Sequence, residues 1–505
     1  MLMSSKEYRE SLRGYQPNVF VNGRQVDSVV DDPDFAPGLN AMSLTYDYAL
    51  ESRFEKLMVA RQHTSDANTN RMLHIGTTCS DVMDKLEAVR LLCQETGCAQ
   101  RYLTGDAFNA LFQATYRIDE DKGTEYHPRF LEYLHDAQER DLCIGVAMTD
   151  AKGDRSLRPH EQPEVRSYVR VTEREKDGIR ISGVKAIVTG APYMHELLVM
   201  PCRNMTEEDK DFAVSCAVPI DAKGITISAR PAGRPGEAAA RFSGKYGQAL
   251  GAVIFEDVFV PWDRVFLDGE WEHSGFLTRT YATHHRHSCI GARAGFGDLL
   301  IGASALMMEA NGLDPEKVPH LRNAMVELIK ITESFYASGV AASVYALADP
   351  SGNVEPEPVY ANIGKLLLGE HIYDMHRLAH EVSGGLIVAL PTPEEDHNPA
   401  TAATLSETLR GRSDIPYRQR AEVARLVEDL TASEIAGWYS VISLHGGGSP
   451  EAMKMEIYRN YPIPEKVELV ERLLDRGVLT RSATRPTRQP GQCCAAGCRT
   501  TRPDN

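Results

Sequence analysis

The spacing of apolar positions along the chain changes twice. Up to about Arg140, turn-rich pieces alternate with helical patterns. Between Ser80 and Leu92, residues Val82, Met83, Leu86, Val89 and Leu92 fall on one helical face, and Ser80 with Asp84 suits the helix start. The stretch Pro128 to Asp141 predicts a second amphipathic helix, opened by its proline. From Cys143 to Leu267 the pattern becomes short, alternating and β-branched, as in GIRISGVKAIVTGAP, FAVSCAVPI and AVIFEDVFVP, punctuated by Gly178, Gly183, Gly190 and Gly224. From Phe276 the helical period returns and persists to about Arg476. One helix is expected to stop at Asn311-Gly312, and Val318 to Ala348 forms a long, Ala-rich helix candidate.

These changes divide the chain into a mostly helical unit (1–142), a β domain (143–272), a C-terminal helical unit (273–480) and a tail (481–505), an α+β class. The tail mixes Arg, Pro, Thr and Cys without a period, so disorder is expected there. At 505 residues the chain is too long for a single compact core. Lys and Arg total 55 against 71 Asp and Glu, a formal charge of -16, which argues against a nucleic-acid surface. Small molecules are the expected partners.

The N-terminus has no apolar leader, and the longest apolar stretch, Ala294 to Met308, is short and carries Asp298. A cytoplasmic location is therefore expected. Of the ten cysteines, seven scatter between Cys79 and Cys289 and three cluster at Cys493, Cys494 and Cys498, a distribution that fits free thiols in a reducing compartment. The tail cysteines leave weak zinc chelation open as an alternative.

Five blocks carry a resemblance to a known family: GDAFNALF (105–112), AMTDAKGDR (147–155), FEDVFVPWDRVFL (255–267), EVSGGLIVALPT (381–392) and LHGGGSPEA (444–452). Together they resemble the signature blocks of the large component of 4-hydroxyphenylacetate 3-monooxygenase. The branch most resembled holds 4-hydroxybutyryl-CoA dehydratase. The resemblance runs from about residue 1 to about 475 and implies an acyl-CoA dehydrogenase-like fold that binds FAD. It places the flavin against the turn with Lys152, Gly153, Asp154 and Arg155, against the Thr189 hydroxyl, and against the segment His445, Gly446, Gly447 and Gly448.

The dehydratases also hold a [4Fe–4S] cluster through three cysteines and one histidine. At the matching positions this chain has Cys98, Tyr102, His285 and Ala292, so two thiolates are replaced and no cluster is expected. Cys289 lies one turn after His285, on the right face but a turn short of the lost ligand. The relatives' acid and base glutamates fall on Leu250 and Ile442, their tyrosine on Cys289 and their lysine on Arg293. The phenol-binding residues of the hydroxylases fall on Leu103, Ala107 and Val146, which cannot bind a phenolate in the same way.

The resemblance therefore implies a monooxygenase that uses FADH2 supplied by a separate flavin reductase, acting on a small aromatic or related organic substrate. Its pocket residues are expected to be His285, Tyr102 and Arg293. The alternative is a cluster-free, flavin-dependent dehydratase or isomerase acting on an acyl-CoA-type substrate, and a non-catalytic flavin-binding partner is a third class. No G-x-G-x-x-G opens a βαβ unit, so NAD(P)H binding is not expected. A homotetramer is expected from the Ala- and Gly-rich helices after residue 290.

Overall fold

A computed structural model describes residues 2–474. The tail at 481–505, with Cys493, Cys494 and Cys498, lies outside the described residues, as do the last residues of the C-terminal helical unit.

The first long helix is Cys79–Thr96, and it starts earlier than Ser80 and Asp84 imply. Thr78 is the cap: its hydroxyl accepts the Asp81 N–H at 3.1 Å, and the Asp81 carboxylate accepts the Thr78 N–H at 3.0 Å. This reciprocal pair satisfies two of the helix's orphan donors. The helix expected at Pro128 begins at Tyr126, because the Asp119 carboxylate accepts the N–H groups of Tyr126 and His127 at 2.8 and 2.7 Å. Between these two helices runs Tyr102–Lys122, which carries the GDAFNALF block.

Two sheets follow the N-terminal helices. The larger has seven strands, in the spatial order Arg24–Gln25, Val19–Val21, Ile225–Ala229, Leu250–Pro261, Gly178–Thr189 and Thr149–Asp150, with Arg170–Arg174 also paired to Gly178–Thr189. The smaller orders Val265–Asp268, Val214–Pro219, Glu196–Val199 and Ile144–Ala147. Periodicity did not reveal the strands at 19–25. Val19–Val21 is only three residues long and gains its place by pairing in parallel with Ile227 to Ala229. One apolar core accordingly runs from Tyr8 and Phe35 through Ile181 and Val253 to Leu277.

The helix Trp271–Ala310 spans 40 residues, about 60 Å at 1.5 Å per residue. It ends at Asn311 and Gly312, the latter at φ +73°, as the Asn-Gly pair predicts. An 18-residue window of this helix has mean hydropathy 1.2 and is 67% buried, the setting of a core helix. It packs on Cys79–Thr96, Tyr102–Lys122, Pro319–Val344 and Pro358–Ser383, so residues on different faces of one rod reach every helical layer. Small residues permit the close approach. A Cβ at Gly291 would lie 2.7 Å from the Leu86 carbonyl, and one at Gly295 would lie 2.5 Å from that of Arg90.

Candidate active site

A cleft opens where this long helix meets the Tyr102 helix, the end of the strand Gly178–Thr189 and the helix Glu434–His445. His285 and Cys289, one turn apart, both line it. The His285 Nε2 lies 3.6 Å from the Cys289 Sγ, and its Nδ1 lies 3.3 Å from the Asp106 Oδ2. Asp106 is fully buried and also accepts from the Lys85 Nζ at 2.5 Å and the Ser288 hydroxyl at 2.7 Å.

The charges of this group follow from those contacts. Burial pushes the Asp106 carboxyl up, but Lys85 and His285 more than offset it and hold the group at about 2. Burial would strip the proton from His285, whereas Cys289 and Asp106 retain it and raise the imidazole to about 9. Burial likewise raises the Cys289 thiol, and the attraction of His285, Lys365 and Arg293 overcomes it and brings the thiol below its ordinary value. The same contact thus draws the two groups in opposite directions, the thiol toward losing its proton and the imidazole toward keeping one.

Around the pair the cleft is aromatic and cationic. The rings of Tyr281 and Tyr102 lie near-parallel to the imidazole, with centroids 5.5 and 6.2 Å away. The Tyr102 hydroxyl is 3.7 Å from the Cys98 Sγ, and burial raises this phenol well above its ordinary value, so it stays neutral. Arg293 donates to the Ser443 hydroxyl at 2.5 Å, and the Lys365 Nζ donates to the Ser443 carbonyl at 2.5 Å. Burial lowers the fully enclosed Lys365 amine to about 8.

The triple glycine passes directly over the His285 turn. Gly447 and Gly448 take φ of +78° and +106°, and the Gly447 carbonyl accepts from the Arg286 Nε at 2.8 Å. A Cβ on Gly447 would sit 3.3 Å from both His285 and Arg286. At the opposite wall Thr189 pairs in register with Leu250 and lines the cleft, as do Gln100, Leu103, Ile442 and Gly446. The Gln100 Oε1 is buried there without a hydrogen-bond partner.

Tyr102, His285, Arg293, Thr189 and Gly446 therefore meet in one cleft, with Ala292 beside them. Lys152, Gly153, Asp154, Arg155, His445, Gly447 and Gly448 are not among its lining residues. The backbone of the 150–155 turn is less open than its sequence implies. The Ala151 and Lys152 N–H groups donate to Val184 and Ser167 at 3.1 and 2.9 Å, and the Asp154 N–H donates to the Gln162 Oε1 at 2.9 Å. Side chains, rather than these three amides, are what that turn offers a ligand. His445 is an exposed last residue of its helix.

Sequence reasoning missed Lys365, Gln100, Ser443 and Asp106, and it treated Cys289 only as a failed ligand. The His-x-x-x-Cys spacing was the available signal, since residues four apart share a helical face. Nothing local marks the other four.

Family models for the 4-hydroxyphenylacetate 3-hydroxylase N-terminal and C-terminal regions match residues 4–267 and 274–475. The chain belongs to the 4-hydroxyphenylacetate 3-hydroxylase family. Among these enzymes it is 35% identical to 4-hydroxybutyryl-CoA dehydratase/vinylacetyl-CoA-Delta-isomerase of Clostridium aminobutyricum, over 93% of this chain and 99% of that one. It is 23% identical to the 4-hydroxyphenylacetate 3-monooxygenase oxygenase component of Thermus thermophilus, over 92% and 97%. The solved 4-hydroxybutyryl-CoA dehydratase of N. maritimus superposes at a TM-score of 0.90 and 35% identity, covering 97% of each chain. The oxygenase HpaB complexed with FAD superposes at 0.81 and 20% identity, covering 94% of this chain and 98% of that one, which shows a shared fold.

Among the described residues no group of three or more His, Cys, Asp or Glu side chains is placed to hold a metal. Tyr102 and Ala292, which the resemblance matches to two of the dehydratases' cluster thiolates, both line the cleft.

Proposed function

We propose that this chain is a flavin enzyme that moves protons on an acyl thioester, an isomerase working without an iron–sulfur cluster. The observation that carries this reading is the Cys289–His285 contact on the wall of the cleft, with the Sγ 3.6 Å from the Nε2. It supplies a base and an acid where the positions matching the relatives' glutamates hold Leu250 and Ile442. The 35% identity to the dehydratase/isomerase, spread over almost the whole chain, supports the acyl-thioester class.

The residues present fit FAD. The orphaned Gln100 Oε1 and the Thr189 hydroxyl offer polar partners to a ring edge. Lys152 and Arg155 are the side chains we assign to the cofactor's charged portion. When bound, FAD supplies a two-electron redox centre on a flat, hydrogen-bonding ring.

The chain's own groups then complete a closed proton cycle. The Cys289 thiolate takes a proton from the carbon next to the thioester carbonyl. Lys365 and Arg293 stabilise the negative charge that develops on the carbonyl oxygen. The His285 imidazolium returns a proton at the far end of the conjugated system, and transfer from the Cys289 thiol to the imidazole restores the starting state. Asp106 keeps the imidazole oriented and positively charged throughout.

A second reading, an FADH2-dependent monooxygenase fed by a separate reductase, is favoured by the oxygenase-component relatives and by the missing carboxylates. Against it stands Cys289, because a thiol with a lowered pKa lining the cleft is a group that an oxygen-activating pocket oxidises. One experiment separates the two. The FAD-loaded protein is incubated in heavy water with a β,γ-unsaturated acyl-CoA while dissolved oxygen is recorded. A conjugated product carrying deuterium at the γ carbon, the far end of the conjugated system, without oxygen uptake, is expected. Oxygen consumption coupled to hydroxylation of a phenol by the FADH2-supplied protein, with no deuterium incorporation, would replace this reading with the second.

A further inference from the structure

Cavities flank the Trp271–Ala310 helix on two sides. His285, Cys289 and Arg293 line the cleft already described, whereas His284 and His287, on the opposite helical face, line a second cavity. The two share no lining residue. The other walls of the second cavity come from the helices Cys79–Thr96 and Tyr102–Lys122, the turn Arg71–Leu73 and the strand Val354–Glu355.

Donors in this cavity outnumber the acceptors that serve them. The His284 Nε2 is buried without a hydrogen-bond partner, on a residue only 5% exposed. Arg71, equally buried, spends its Nε on the Leu57 carbonyl at 2.9 Å and its Nη2 on those of Lys56 and Val59 at 3.1 Å each. That leaves its Nη1 3.6 Å from the Asp81 Oδ1, beyond hydrogen-bond reach. The Lys85 ammonium carries three donors, and its hydrogen-bond partner among the described residues is the Asp106 Oδ1. The acceptors are committed elsewhere. The Asp81 Oδ2 takes the N–H groups of Thr77 and Thr78 at 3.0 Å each, and the Asn109 Oδ1 takes that of Gly76 at 3.1 Å. Apolar groups complete the lining: Val82, Val354 and Pro356.

We propose that this second cavity binds a short aliphatic carboxylate, whose head accepts from Lys85, Arg71 and His284 while its hydrocarbon lies against Val82, Val354 and Pro356. Lys and Arg only donate, so a ligand that serves both must accept, and the His284 ring donates to the same head as its Nε2–H tautomer. Two carboxylate oxygens suit donors that come from three separate elements. A doubly charged phosphate would face the Asp81 carboxylate and, behind Lys85, that of Asp106, so a single negative charge fits better. A metal is excluded by the donor set, because no group of three His, Cys, Asp or Glu side chains among the described residues is placed to hold one. The site goes beyond the reaction assigned to the flavin cleft and does not depend on it.

The test is equilibrium dialysis of the FAD-loaded protein against radiolabelled butyrate, with no thioester present. One butyrate per chain is expected, with a Kd of about 1 mM or tighter. Butyramide, which keeps the shape and lacks the charge, should not compete. His284→Ala should weaken binding at least about tenfold, the loss of one charge-assisted hydrogen bond. Lys85→Met should abolish it, and because Lys85 also holds Asp106, His284→Ala decides the matter if Lys85→Met does not fold. Lys365→Met, a change in the flavin cleft, should bind butyrate as the wild type does. Absence of saturable binding, or equal binding in wild type and His284→Ala, overturns the site. So does loss of binding in Lys365→Met with binding kept in His284→Ala, which places the butyrate in the flavin cleft. Chloride or phosphate that displaces butyrate at equal concentration overturns the assignment to an aliphatic carboxylate.

Discussion

The Asp106 carboxylate lies 3.3 Å from the His285 Nδ1 and 2.5 Å from the Lys85 Nζ, so one fully buried anion balances two cations on different helices. Removing it leaves both cations in a low-dielectric interior. Asp106→Asn should therefore lower unfolding stability by about 3–5 kcal/mol, the range for breaking a buried pair. Ser288→Ala, which deletes one hydrogen bond to the same carboxylate, should cost about 1.5–3 kcal/mol. The pH dependence has a definite sign. The carboxyl sits at about 2 when folded, below its ordinary 3.8, so its contribution is complete above the ordinary value and is lost as pH falls through about 2. That contribution is about 2 kcal/mol and should disappear from the acid limb of the Asp106→Asn stability curve. Equal acid limbs for the two proteins, in urea titrations across pH, would show that the carboxylate is not paired.

Lys365 gives the activity a basic limb. Its amine is pushed down to about 8 by burial, so its charge fades as pH rises through that value. In the isomerase reading, turnover should decline above about pH 8 as the cation facing the thioester oxygen is lost. Lys365→Met should lower kcat by roughly 100-fold, the scale of one lost charge-stabilising donor, and abolish this limb. A basic limb that survives unchanged in Lys365→Met would assign it to another group, and His285 at about 9 is the first to examine.

The sequence carried the fold better than the chemistry, for physical reasons. Periodicity reports what each residue does within its own element, so the helix at Cys79–Thr96, the strands at Gly178–Thr189 and Leu250–Pro261 and the Asn311-Gly312 stop were all legible. It cannot report a strand such as Val19–Val21, whose reason to be extended lies more than 200 residues away at Ile227. The cleft divides in the same way. Tyr102, His285, Arg293 and Thr189 were found because they occupy motif positions. Asp106 was quoted within its block without a role, since only the fold brings it within 3.3 Å of a residue 179 positions on. Lys365 belongs to no motif at all. Its buried amine has meaning only beside Ser443 and Cys289, which come from two other helices. Cys289 was read by subtraction, as a ligand at the wrong spacing, when that spacing suits a thiol paired with a histidine one turn earlier.

Flavin binding should respond to Thr189 and Lys152 while folding does not. Thr189 ends a strand at the cleft wall, so Thr189→Val removes a hydroxyl without changing the β-branched shape that suits the strand. Lys152→Ala removes an amine from a turn residue at φ +71°, outside the apolar core. A lost hydrogen bond to a charged or strongly polar group is worth about 1.5–3 kcal/mol, roughly 10- to 150-fold in affinity. Each variant should bind reduced FAD at least about tenfold more weakly, with apoprotein unfolding midpoints within about 0.5 kcal/mol of wild type. If fluorescence titrations give wild-type affinity for both, neither residue touches the cofactor, and the Gln100 side of the cleft becomes the place to look.

Iron content tests whether the two replaced ligands are what excludes a cluster. Tyr102 opens its helix four residues after Cys98, which lies in the preceding loop with its Sγ 3.7 Å from the Tyr102 hydroxyl, and Ala292 follows His285 by seven residues, two turns along the same helix. Both residues are buried at the same cleft, which leaves the phenol and the methyl as the local obstacles to iron. Wild-type protein, purified and reconstituted without oxygen, should hold far less than four iron and four sulfide per chain. Tyr102→Cys combined with Ala292→Cys should take up iron and sulfide together and develop the broad visible absorption of a thiolate-bound cluster. Each single variant should fall well short, because one histidine and two thiolates leave an iron without its protein ligand. The double variant carries its own cost: replacing the buried Tyr102 ring opens a cavity worth about 3–5 kcal/mol, so its fold must be checked by near-ultraviolet circular dichroism before its iron is counted. A folded double variant that stays iron-free would mean the surrounding cleft, with Arg293 and Lys365 against it, excludes the cluster independently of the ligands. Four iron and four sulfide in the wild type would overturn the cluster-free reading outright.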